Sequence, residues 1–294
     1  MDYATLTQIR AYLKLATAET ADDALLQTFI TWANQTLNAI RRGDVRYETR
    51  YYDYPIQAGN AFGVYDAETW VQQMNAAGLL SQGKLMLDDD LLALVSVTNG
   101  NGEDLPTTAL ITEPPNIYPK HILRIKRGSE YRWQMGDNGE REQVIAVTGW
   151  WGYHPDYGSA WTLTDAVQSN PLSAVATSVT VTDGGLFQTG QLVKIEDELL
   201  TVTAANPTTD SLTVTRGANG TAAAAHVQTT PIYRYTAWGN YALAATRLVV
   251  WRYRQKDANV FEKTTSFETG VTIVPAAIPA DIQALLPPRR QVTL

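Results

Sequence analysis

Apolar residues recur at helical spacing near both ends of the chain and at strand spacing between them. Leu6, Ile9 and Leu13 form one stripe, and Leu25, Leu26, Phe29, Trp32, Ala33, Leu37 and Ile40 form a longer one with a helical period. Thr5 followed by Gln8 has the spacing of a capping box, and Thr20, Asp22 and Asp23 open the second helix. Arg41 and Arg42 complement its C-terminal dipole, and Gly43 is expected to stop it. The pattern predicts a helical hairpin over residues 5–42 with a packed inner face.

From Tyr47 the period shortens. "VRYETRYYDYP", "LLALVSVT", "ILRIKRGSEYRW" and "EQVIAVTGWWGYH" are rich in β-branched and aromatic residues and read as strands of a β arm or small sheet over residues 45–153. "MGDNGE" supplies a turn, and "DAETWVQQMNAAGLL" an amphipathic piece that reads as one helix or a turn of one. Residues 158–237 differ in character, with low charge and abundant Thr, Val and Ala. "SVTVTD", "QLVKIED", "ELLTVTA", "SLTVTRG" and "TTPIYRY" read as five strands of an all-β module, entered and left through "HPDYGSAW" and "TAWGN".

Helical spacing returns over residues 240–257. Ala244, Ala245, Leu248 and Trp251 or Arg252 share one side there, and the small residues admit a neighbouring helix closely. A short helix is expected over 279–286, between Pro279 and Pro287, followed by an extended tail over 287–294. The resulting expectation is an α+β fold. Its core is helical, built from the N-terminal hairpin and the C-terminal helices, with a β-hairpin arm and an inserted all-β domain. Residues 1–157 and 238–294 would form one domain and 158–237 the insert.

Composition narrows the possible functions. The chain of 294 residues has no cysteine, which removes disulfides, thiolate metal sites and cysteine nucleophiles together. A net charge of −7 argues against a surface that grips phosphate, and no window is apolar enough to span a bilayer. The N-terminus lacks the basic and apolar regions of a signal peptide.

Candidate chemistry is sparse. Asp88, Asp89 and Asp90 are consecutive, whereas a calcium loop alternates its acids, so a strand edge kept soluble by charge is the expected reading. Asn99-Gly100 and Asn101-Gly102 have hairpin-turn chemistry. "TVTRGANGTAAAAH" has Gly217, Gly220 and Thr221 but no lysine before the threonine, so a loop is expected rather than a phosphate cradle. His121, His154 and His226 lie in separate segments and read as surface or loop residues. No catalytic residue, metal ligand or cofactor is assigned. "GWWGYH" could stack a sugar or a base. Trp150, Trp151 and Tyr153 are read instead as anchors of the β arm. Arg252, Arg254 and Lys256 suit a solvated helix end, but Trp251 and Tyr253 between them also suit an interface.

The order of elements resembles the head–tail connector, or adaptor, proteins of tailed bacteriophages. The residues that carry the likeness are "LTQIRAYL" with "DDALLQTFITWANQTL", then "LDDDLLALVSVTNGNG" and "VTGWWGY", then the Ala-rich, Arg-bearing "YALAATRLVVWRYRQKDAN" and "IPADIQALLPPRR". They cover roughly residues 1–155 and 238–294. The block between Trp151 and Tyr241 departs from the pattern and is similar to small β modules of phage tail and fibre proteins.

The resemblance implies a non-enzymatic virion protein, assembled in the host cytoplasm and located in the neck. Such adaptors form a ring, commonly of twelve subunits, under the portal. They link the DNA-filled head to the tail and line the DNA exit channel. The implied partners are the portal protein, other copies of the chain and a downstream neck or tail-completion protein. DNA would pass without specific binding, and no membrane is involved. Portal docking would fall to Leu286, Pro287, Pro288, Arg289, Arg290 and Val292, and contacts between subunits to Arg247, Trp251, Arg252, Tyr253 and Arg254. The alternative is a tail- or fibre-associated binding protein whose β insert recognises a host-surface glycan.

Overall fold

The computed structural model describes residues 1–55, 84–258, 264–265, 272–273 and 278–287. The amphipathic segment "DAETWVQQMNAAGLL" lies outside the described residues, as does most of the C-terminal tail, including Pro288, Arg289, Arg290 and Val292. The elements are α1 (Leu6–Leu13), α2 (Asp23–Ile40), β1 (Arg46–Tyr52), β2 (Lys84–Thr98), β3 (Asp104–Leu105), β4 (Leu110–Glu113), β5 (Lys120–Ile125) and β6 (Ile145–Trp151). After these come β7 (Trp161–Ala166), β8 (Ser178–Thr180), β9 (Leu192–Ile195), β10 (Glu198–Asn206), β11 (Ser211–Thr215) and β12 (Pro231–Tyr235). The chain continues with α3 (Gly239–Ala258), β13 (Thr264–Thr265), β14 (Thr272–Ile273) and α4 (Ala280–Gln283).

The expected helical core is overturned. Among the described residues the chain is mostly β, with two antiparallel sheets of six strands each and only a few helices. The physical reason lies in how each element buries its apolar side. The strands close over two large apolar clusters of their own, whereas each helix buries only a stripe. The β arm is likewise a sheet with a full core.

The chain divides into two compact units. One comprises Val45–Tyr157. Its sheet runs β1-β6-β2-β5-β4, with β3 paired to β2. Strand β2 is long enough to serve two partners, pairing with β5 through its first half and with β6 through its second. Leu85, Leu87, Leu91, Leu123, Ile145, Val147 and Trp151 fill the space beneath it. The β2–β3 turn is the one that the Asn-Gly pairs forecast. Asn99 N–H donates to the Glu103 carbonyl (2.8 Å), and Gly102 takes φ +78°. Buried Asn99 also receives the Gln134 N–H (2.9 Å) and donates to the Arg132 carbonyl (2.8 Å), so one side chain ties this turn to the segment before β6.

The other unit comprises Met1–Asp44 and Gly158–Arg289. All five strands expected in residues 158–237 are present. A sixth, β7, begins at Trp161, the last residue of the expected entry linker. The sheet runs β7-β12-β9-β10-β11-β8 and its ends meet. Gln168 N–H donates to the Thr180 carbonyl (2.8 Å), and the Asp165 carboxylate accepts the N–H groups of Thr182 (3.0 Å) and Asp183 (2.9 Å). These contacts link the end of β7 to β8, and the sheet encloses Val193, Ile195, Leu200, Val202, Leu212, Val214 and Ile232.

In the same unit α3 packs on α2 and α1, with Ala244, Ala245, Leu248 and Val249 buried. The Thr5/Gln8 capping box is present at α1. Gly43 has a different role from the one expected. The chain leaves α2 at Arg41 in extended conformation, and a Cβ on Gly43 would lie 2.6 Å from the Tyr241 ring. Gly43 is therefore required by close approach. The strap Arg41–Asp44 is held by three phenol groups from two distant parts of the chain. Gly43 N–H donates to the Tyr3 hydroxyl (3.1 Å), Tyr235 donates to the Gly43 carbonyl (3.3 Å) and Tyr241 to the Arg41 carbonyl (3.0 Å). Burial, reinforced by the charge of Asp44, pushes the Tyr3 phenol well above its ordinary pKa, so it stays neutral. The N-terminus also touches the barrel directly, through Asp2 N–H to the Gly190 carbonyl (2.8 Å).

Candidate functional site

Three places concentrate polar chemistry: the acidic run in β2, a buried ion-pair network in the barrel, and the face formed by α3 and α4. In β2 the register with β5 shifts between Met86 and Leu91, which frees the acidic residues from strict alternation. Asp88 is mostly exposed, but the side chains of Asp89 and Asp90 are only 7% and 6% exposed, and β2 lies between β6 and β5, so the expected charged strand edge is not found here. Arg50 on β1 gathers the acids. Its guanidinium donates to Asp88 (3.0 Å), Asp89 (2.8 Å) and Glu48 (3.0 Å), and lies 4.8 Å above the Trp151 ring. Tyr52 donates to Asp88 (2.6 Å), and its pKa is raised by burial and by that bond. Asp90 lies 3.6 Å from His121 Nδ1. The carboxylate oxygens are thus directed at protein donors. Among the described residues no group of three His, Asp or Glu side chains is arranged to hold a metal ion.

The second place is the network around Glu198 at the start of β10. Its side chain is 1% exposed. It accepts both arms of the Arg216 fork (2.7 Å each), the N–H groups of Gly217 and Ala224 (3.0 Å each) and a bond with His226 Nε2 (2.8 Å). Burial alone would raise the pKa of this carboxyl, but the Arg216, Ala224, His226 and Gly217 bonds outweigh it and hold the value at about 2. His226 Nδ1 lies 2.7 Å from the exposed Glu196 carboxylate, and Arg216 also donates to the carbonyls of Ser173 (2.7 Å) and Ala176 (2.9 Å). Every acceptor position of the Glu198 carboxylate is occupied by the protein's own donors. The arrangement fixes the loop from Gly217 to Ala225 onto the barrel and leaves no open position for a reacting atom. His154 and His226 lie in loops, one of the two expected places, but both are buried rather than on the surface.

The third place holds most of the sequence-derived interface residues. Arg247 pairs with Asp281. Tyr253 and Lys256 both donate to Asp22 at the start of α2 (Lys256 at 2.6 Å), which lowers the Asp22 pKa, chiefly through Lys256. The Arg252 guanidinium lies 5.6 Å over the Trp32 ring, Trp251 is half-buried and Arg254 is exposed. Of the docking residues, Leu286 is buried and Pro287 is half-buried. Arg247, Arg252 and Tyr253 are thus engaged within their own unit, where they seat α3 against α2 and α4.

The aromatic patch divides by strand alternation. Trp151 is fully buried and donates from Nε1 to the Glu48 carbonyl (3.0 Å), which fastens β6 to β1. Trp150 points the other way, with its ring 5.1 Å from that of Tyr47, and Tyr153 is half-buried. Sequence reasoning missed Tyr3, Tyr235 and Tyr241, and also Arg50, Glu198 and Arg216. Their partners lie tens to hundreds of positions away, and no local spacing announces such pairs. The buried Glu-Arg pair had one partial trace in the sequence, Arg216 as a lone charge in its segment, whereas Glu198 follows Lys194, Glu196 and Asp197 and does not stand out. Among the described residues no helix is long and apolar enough to cross a membrane. Comparison with protein-family models and with curated proteins finds no match.

Proposed function

We propose that the chain is a structural virion protein of a tailed bacteriophage, a head–tail adaptor without catalytic activity. In this reading copies form a ring under the portal, commonly of twelve, and DNA leaves through its lumen. The observation that supports the reading best is the packing of α3 against the two N-terminal helices. Strand β12 ends at Tyr235, α3 begins at Gly239, and this Ala-rich, Arg-bearing helix lays Ala244 and Ala245 against the N-terminal helices. That is the order of elements on which the resemblance rests.

The electrostatics support the same reading. A ring of copies each carrying −7 repels phosphate, which suits a channel through which DNA slides. The two carboxylate networks also support a non-catalytic role, because arginines already satisfy them. The test is electron microscopy of the purified portal ring mixed with this protein. Added ring density on the portal is expected, and its absence at saturating protein refutes the proposal.

A further inference from the structure

The sequence holds four Asn-Gly steps: Asn99-Gly100, Asn101-Gly102, Asn138-Gly139 and Asn219-Gly220. Asparagine before glycine is chemically labile, because no side chain on the glycine hinders its nitrogen. Once that nitrogen has lost its proton it attacks the asparagine Cγ. A bond forms between the two, the Cγ–Nδ2 bond breaks, and Nδ2 leaves as ammonia. Water then opens the cyclic imide at either carbonyl, to isoaspartate or to aspartate. The ring closes only if the peptide after the asparagine can turn toward the side chain, so local opening decides which of four identical dipeptides reacts.

Three of the four are held. Asn99 is buried, with its side chain bonded to the Arg132 carbonyl (2.8 Å) and the Gln134 N–H (2.9 Å). A Cβ on Gly100 would lie 2.3 Å from the Gln134 carbonyl, so this peptide has no room to turn. Asn101 is exposed, but its Oδ1 accepts the Glu103 N–H (3.2 Å), and the Gly102 N–H donates to the Asn99 carbonyl (2.9 Å). Asn219 is half-buried in the loop that Glu198 fixes through the N–H groups of Gly217 and Ala224 (3.0 Å each). Thr221 fastens the same loop by accepting the Leu199 N–H (3.0 Å). Asn138 differs from all three. It is exposed together with Asp137, Gly139 and Glu140, and its side chain makes no hydrogen bond with the described residues. The Gly139 N–H is held by one bond at the long end of the usual range, to the Gly136 carbonyl (3.2 Å).

We propose that Asn138 is the site at which this chain deamidates. Each event adds a negative charge beside Asp137 and Glu140. As isoaspartate it also adds a methylene to the backbone, which opens the turn closed by the Gly136 N–H on the Glu140 carbonyl (2.8 Å). The test holds the full chain in mildly alkaline buffer, which favours loss of the glycine N–H proton. Samples taken over time are digested at acidic pH and mapped by mass spectrometry, with isoaspartyl methyltransferase labelling to identify the rearranged peptide. Conversion at Asn138 should be at least tenfold faster than at Asn99 and Asn219 and at least threefold faster than at Asn101. In guanidinium chloride the unfolded chain should convert all four at similar rates, because only the fold separates them. Conversion at Asn99, Asn101 or Asn219 as fast as at Asn138 in the folded chain overturns the proposal. So does a folded chain in which Asn138 stays intact while the unfolded chain converts, or an unfolded chain with the same ranking and spread as the folded one.

Discussion

Replacing Glu198 by Gln keeps the shape of the side chain and removes its charge. In the folded protein this carboxylate sits 1% exposed beneath five donor contacts, two of them from the Arg216 fork at 2.7 Å. Two estimates of the cost converge. A carboxyl held at about 2 instead of its ordinary 4.5 contributes about 3 kcal/mol at neutral pH. Removing one member of a buried ion pair leaves the other uncompensated, at about 3–5 kcal/mol. For a unit of this size a loss of about 3 kcal/mol lowers the melting temperature by roughly 6–12 °C. Urea and thermal unfolding of the full chain should be followed by barrel-specific amide exchange, since two units need not unfold together. The sign with pH is fixed by the direction of the shift. The folded-state pKa is depressed, so the stabilisation is complete above about 4.5 and is lost as pH falls toward about 2. The gap between the native chain and Glu198→Gln should therefore close over that acid range. A variant within about 0.5 kcal/mol of the native chain at pH 7 would refute the reasoning, as would a gap unchanged at pH 2.

Gly43→Ala should destabilise the helix–barrel unit by about 1–3 kcal/mol, because the new methyl meets the Tyr241 ring at 2.6 Å and the strap cannot shift without losing its phenol contacts. Differential scanning calorimetry with Tyr241→Phe as a companion measures it, and the ring's volume rather than its hydroxyl should account for most of the loss. Calcium at millimolar concentration should leave the melting temperature unchanged within about 1 °C, since Arg50 already neutralises Asp88 and Asp89. A clear upward shift would show that the metal displaces the arginine.

The local grammar of this protein was legible in its residues. The capping box at Thr5 and Gln8, the turns at Asn99 to Gly102 and at Gly136 to Glu140, five barrel strands and the extent of α3 all follow from propensity and period, which act between near neighbours. The cluster of Arg, Trp and Tyr on α3 was legible, but not that Arg247, Arg252 and Tyr253 take partners within their own unit.

Tertiary structure decided the rest. A period of two marks a strand but does not say whether a sheet closes, so the sequence-based reading placed the core in the helices, whereas the apolar strands of 158–237 enclose one of their own. Residue type marks an acid but not its partner. Asp89 looked like a solvated edge until Arg50, 39 positions earlier in the chain, was brought within 2.8 Å of it. Gly43 looked like a helix stop, and it is glycine because a ring from residue 241 leaves no room for a methyl. In each case the deciding interaction is a contact between residues far apart in sequence. Such contacts exist only after loop closure and burial have chosen one arrangement among many, so the chain alone leaves them open.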